Sequence, residues 1–136
     1  RRQWNLVDNH ELCYHYLGDF DKEMLKTIKS EKNFNKTPVV EIWHNDGDQV
    51  LAYMRGDLLF VFNFSPTRSF TDYGFLVPTG AYSVVLDTDN KAFGGNGLND
   101  DEMTHLTNYD PVYVNDRKEW LKLYLPARSA LVLKKN

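Results

Sequence analysis

The hydrophobic period of this chain changes once, near residue 36, and no other feature constrains its fold as strongly. Upstream, Leu17, Phe20, Met24 and Ile28 recur at three- and four-residue steps, which places them on one face of a helix. Past the turn-forming stretch 33–38, apolar residues recur at every second position, the period of a strand. The expected organisation is a helical segment, 1–35, followed by an all-β domain, 36–136.

Within the helical segment, Gly18-Asp19 reads as a break and an N-cap, because an Asp carboxylate can accept a free N–H of the next first turn. That predicts helices over roughly 2–17 and 20–31. The β region offers runs at 39–44, 50–55, 57–64, 70–75, 81–87, 120–125 and 130–133, and seven strands suggest an antiparallel sandwich of Greek-key type. In the third run Leu58, Phe60, Phe62 and Phe64 share one face and Leu59 and Val61 the other, as in a central strand. Asn45-Asp46-Gly47-Asp48 and Arg55-Gly56-Asp57 tolerate positive φ between runs and read as hairpin turns. Residues 90–116, with Gly94, Gly95 and Gly97, read as a long rim loop.

At 136 residues the chain suits one core, and a net charge of −3 lacks the basic footprint of a nucleic-acid binder. No stretch is apolar enough to span a membrane, and Arg1-Arg2-Gln3-Trp4 is followed by no apolar leader run, so the expected setting is cytoplasmic. Cys13 is the single cysteine, which excludes an internal disulfide; flanked by Leu12 and Tyr14, it reads as a small buried residue.

The chain presents no catalytic set and no cofactor motif. Asp87 and Asp89 end a strand, where catalytic acids often stand, but Asp is also a common strand terminator. Asn99-Asp100-Asp101-Glu102 lacks the alternating spacing of a calcium loop, and the scattered histidines lack zinc-site spacings, so no metal is expected. Gly94-Gly95-Asn96-Gly97 precedes an acidic loop rather than a helix, and nucleotide binding is not indicated.

The residual signal is aromatic. Trp43, Tyr53, Tyr73, Tyr109, Tyr113, Trp120 and Tyr124 exceed what one small core hides. Such rings pack a sandwich or a neighbouring domain, or they stack on sugars through dispersion and apolar C–H contacts. In Glu41-Ile42-Trp43-His44, alternation places Val40 and Ile42 inward and Glu41 and Trp43 outward. The candidate sugar contacts are Trp43, Tyr73 and Trp120.

Arg1-Arg-Gln-Trp-Asn-Leu-Val-Asp8 and Tyr16-Leu-Gly-Asp-Phe-Asp21 are followed by Arg55-Gly-Asp-Leu-Leu-Phe-Val-Phe-Asn-Phe64, Ser69-Phe-Thr-Asp-Tyr73 and Val85-Leu-Asp-Thr-Asp89. Phe93-Gly-Gly95 and Leu125-Pro-Ala-Arg-Ser-Ala130 complete an ordered series across nearly the whole chain. The series resembles the C-terminal region of glycogen and starch (1,4-α-glucan) branching enzymes of glycoside hydrolase family 13. Ser65, where that family usually has histidine, and Leu98-Asn99-Asp100 depart from its pattern.

The resemblance implies an α-amylase-type C-terminal β domain beside a (β/α)₈ barrel that carries the catalytic carboxylates, with α-glucan as substrate. The fragment itself would be non-catalytic. A stand-alone carbohydrate-binding module and the matching domain of another family 13 enzyme are the alternatives.

Overall fold

The computed structural model describes residues 3–109 and 118–136. Two helices, α1 (Trp4–Asp8) and α2 (Tyr14–Ser30), precede β1 (Val39–Asn45), β2 (Val50–Arg55), β3 (Leu58–Asn63), β4 (Phe70–Leu76) and β5 (Ala81–Asp87). Then come β6 (Thr104–Leu106), β7 (Asn108–Tyr109), β8 (Glu119–Leu125) and β9 (Ser129–Lys135). The strands form two antiparallel sheets in the orders β1-β2-β3-β9-β5-β6 and β4-β8-β7. The chain crosses between sheets after β3, β4, β6 and β8, and β9 returns to fill the gap between β3 and β5.

The period-two pattern explains the two faces of the larger sheet. Val50, Ala52, Leu59, Val61, Leu131 and Leu133 point inward and meet Phe75, Leu121, Leu123 and Leu125 of the smaller sheet. Leu58, Phe60, Leu86 and Val132 occupy the opposite face, where Phe20 and Met24 of α2, Phe34 and Phe93 pack on them. β3, apolar on both faces, is central as its sequence predicts. Both anticipated hairpins form, with Gly56 at φ 63 in the second.

Asn63 ties the sheets together. Buried at the end of β3, its side-chain amide donates to the Arg68, Leu125 and Pro126 carbonyls at 2.9, 3.2 and 3.1 Å. Its Oδ1 accepts the Ser65 N–H at 3.0 Å.

Local propensity fails in the helical segment. α2 runs through Gly18 and Asp19 without interruption, so the expected break and cap are absent, and the first helix covers only Trp4–Asp8. A mid-helix glycine costs about 1 kcal/mol, less than docking Phe20 and Met24 on the sheet returns. The Glu31 carboxylate, just past α2, also pairs with Lys134 of β9 at 2.7 Å. Leu17, expected on the buried stripe, is 68 % exposed. Cys13 is exposed beside the start of α2 rather than buried.

Part of the expected rim loop is strand: β6 pairs with β5, and β7 with β8. Residues 90–103 form the loop as expected, while residues 110–116, Tyr113 among them, lie outside the described residues. No helix among the described residues is long and apolar enough to cross a membrane.

Candidate functional site

Trp43 reaches its position through a bulge. Glu41 pairs with Tyr53 and Trp43 with Ala52, leaving Ile42 as the extra residue of β1. Paired residues share a sheet face, so Trp43 lies on the side of Ala52, the inner side, and not opposite Ile42 as plain alternation predicts. It is nevertheless 46 % exposed, because β1 is the sheet's edge strand and the ring overhangs the open rim. Val40, expected in the core, is 57 % exposed on the same edge.

The indole N–H of Trp43 donates to the Tyr73 hydroxyl at 2.9 Å, and that hydroxyl donates to Asp48 Oδ2 at 3.0 Å. The Arg68 guanidinium donates to Asp48 Oδ1 at 3.4 Å and to the Gly47 carbonyl at 3.3 Å, and lies 4.9 Å over the Phe70 ring. Phe70 meets Tyr73 edge-on at 5.2 Å. Burial, with smaller contributions from Asp48, raises the Tyr73 hydroxyl above its ordinary value, so it remains a neutral donor. The result is an indole fixed at its edge beside a carboxylate and a guanidinium. A fixed apolar plate with planar hydrogen-bonding groups at its rim suits a ligand carrying both C–H faces and hydroxyls.

Trp120 stands elsewhere. On β8, Leu121, Leu123 and Leu125 are buried, so Trp120 and Lys122 take the outer face of the smaller sheet. The Trp120 ring lies over Gly74, whose missing Cβ would sit 3.5 Å from it. Together with Met103, Leu106 and Tyr109 it borders a separate cleft of about 490 Å³. Trp43 and Tyr73 thus form one unit, and Trp120 belongs to another.

Two further features have weaker sequence signals. On the outer face of the larger sheet Phe60, Tyr53, Phe62 and Phe64 stack in a row, with successive ring centroids 4.9, 5.9 and 5.5 Å apart. Phe64 is 60 % exposed, and a largely apolar cleft of about 570 Å³ separates this row from α2. The alternation of Phe60, Phe62 and Phe64 signalled the row, but not that α2 covers only part of it. The acids at the end of β5 are structural: Asp89 accepts the Asn96 and Leu98 N–H groups at 3.0 and 3.1 Å, and Asp87 is buried. Among the described residues no three His, Cys, Asp or Glu side chains converge as a metal site would require.

Residues 42–136 match the family described as the alpha amylase C-terminal all-beta domain. The chain belongs to this family. A 1,4-alpha-glucan-branching enzyme of Emericella nidulans is 44 % identical over 135 residues, which is 98 % of this chain and 19 % of that protein. The branching enzyme of Saccharomyces cerevisiae is 38 % identical over the same shares, and that of Dictyostelium discoideum 40 % identical over 99 % of this chain and 20 % of its own. The chain therefore spans about 19 % of the length of the curated relatives it matches. The alpha-amylase C-terminal domain accounts for the sandwich from Ile42 onward, while α1 and α2 lie outside the matched family segment.

Proposed function

We propose that this chain is the C-terminal region of a 1,4-α-glucan branching enzyme, which cleaves an α-1,4-glucan and transfers the segment to a 6-hydroxyl in glycogen synthesis in the cytoplasm. The observation that carries the proposal is the 44 % identity across 98 % of this chain to one fifth of a branching enzyme. The nucleophile and the acid/base belong to a barrel elsewhere in the parent chain, and this region is non-catalytic. Residues 1–35 belong with that barrel, and residues 36–136 form the accessory domain.

Its first role is mechanical. The row around Phe62 and Phe64, with exposed Val39 of the edge strand β1 on the same face, is apolar surface that the barrel covers. Burying one such side chain fully is worth about 1.5–3 kcal/mol. Several together give the domain a docking face large enough to stiffen the barrel.

Its second role is to hold long glucan chains at Trp43 and Tyr73, with the indole under a glucose ring and Asp48 and Arg68 at its hydroxyls. The fixed ring on an open rim favours this reading. Affinity electrophoresis of this chain in gels with glycogen tests it: Trp43→Ala restores free mobility, and Trp120→Ala does not. Equal migration of the unaltered chain with and without glycogen would leave the mechanical role alone. Branch formation by this chain without the barrel would overturn the non-catalytic assignment, and glycogen retardation with no effect of adding the barrel would favour a stand-alone binding module.

A further inference from the structure

Asp87 ends β5 and is 2 % exposed. Its Oδ1 accepts the Asp89 N–H at 2.9 Å, and Asp101 Oδ2 accepts the Asn90 side-chain N–H at 2.7 Å. The other oxygen of each, Asp87 Oδ2 and Asp101 Oδ1, is buried and meets no N–H or O–H donor. Ionised carboxylates only accept hydrogen bonds, so two buried oxygens left this way carry their full desolvation cost. One proton placed between them satisfies both, since a protonated acid donates to its ionised neighbour.

We infer that Asp87 and Asp101 share a single proton, and that this carboxyl–carboxylate bond latches the 88–102 loop to the end of β5 and releases it when the proton leaves. The two acids sit fourteen residues apart, one on the strand and one on the loop's far arm. The loop between them is also held through Asp89, by the Asn99 side-chain N–H donating to the Tyr124 carbonyl at 3.2 Å, and by Phe93 packed on Phe20.

The surroundings favour keeping the proton. Asp19, Lys22 and Glu23 of α2 line the same cleft of about 440 Å³ as Asp87 and Asp101, so α2 brings two acids and one base. The loop itself carries Asp89, Lys91, Asp100 and Glu102. β9 places uncharged Leu131 opposite Asp87. Burial first, then the bond to Asp101, raises the Asp87 carboxyl from 3.8 to about 7; the Asp89 N–H opposes this, and the Asp101 and Asp89 charges add to it. Because the closed form holds the proton more tightly than the open form, the latch is fully effective below about pH 4. It weakens with rising pH, up to tenfold in the closed-to-open ratio per pH unit, and is lost above about pH 7.

Hydrogen exchange of the full-length protein, read on peptides covering 94–102 and corrected for intrinsic base catalysis, tests this. The unaltered protein should lose about tenfold in protection between pH 6 and pH 8. Asp101→Asn supplies a permanent N–H to Asp87 while its carbonyl still accepts from Asn90, so its protection should be equal at both pH values. Asp87→Asn makes the converse substitution, should behave alike, and serves if the first variant folds poorly. Protection independent of pH in the unaltered protein, or both variants unprotected at pH 6, would overturn the shared proton.

Discussion

Replacing Asn63 separates two roles that one amide performs. Its NH₂ faces three carbonyl oxygens on the 63–68 turn and the end of β8, and its Oδ1 holds the Ser65 N–H. Asn63→Ala removes all of these contacts. With a net value of about 1 kcal/mol per lost hydrogen bond, and a further cost for buried carbonyls left unpaired, the loss should reach about 3–4 kcal/mol. Asn63→Asp keeps the shape and the acceptor for Ser65 but turns its second oxygen toward Arg68, Leu125 and Pro126 carbonyls, all acceptors. That carboxyl would be bound by the fold only when protonated, so its folded value lies above its unfolded one. Its stability is therefore nearest the native protein's below about pH 4 and falls as pH rises, by up to about 1.4 kcal/mol per pH unit. Urea unfolding followed by tryptophan fluorescence at pH 4.5 and pH 8 measures both. An Asn63→Asp midpoint that is the same at both pH values, relative to the native protein, would mean that water serves those carbonyls and that Asn63 does not join the sheets.

Gly95→Ala should destabilise the protein by about 1–3 kcal/mol, because the added Cβ would fall inside contact distance of the Asp89 backbone; an unchanged urea midpoint would show that the loop yields freely. Phe20→Ala removes the ring that meets Phe93 edge-on at 5.3 Å and the Leu58–Leu86–Val132 cluster. Discounted for partial exposure, about 1–2 kcal/mol is lost. The helical circular-dichroism signal should melt before the sheet signal, and a single coincident transition would refute independent docking of α2.

Most strand positions were legible because their information is local. Alternation in Leu58–Asn63 and positive-φ residues at Gly56 set a strand and a turn whatever surrounds them. The candidate site was legible only as a list of rings. Trp43 and Tyr73 are thirty residues apart and meet because β1 and β4, on different sheets, converge at the rim. Nothing in the neighbourhood of either residue signals that encounter.

The sequence by itself determined the change from helix to sheet, the central place of β3 and the family, since each follows from periodicity or from ordered blocks of residues. Tertiary structure alone decided that α2 passes through Gly18, that a bulge turns Trp43 onto the inner side, and that Asp87 is buried beside Asp101. In the first case a local preference near 1 kcal/mol is outweighed by docking two apolar side chains on the sheet. In the other two, contacts between distant segments set a position on which the local sequence is silent.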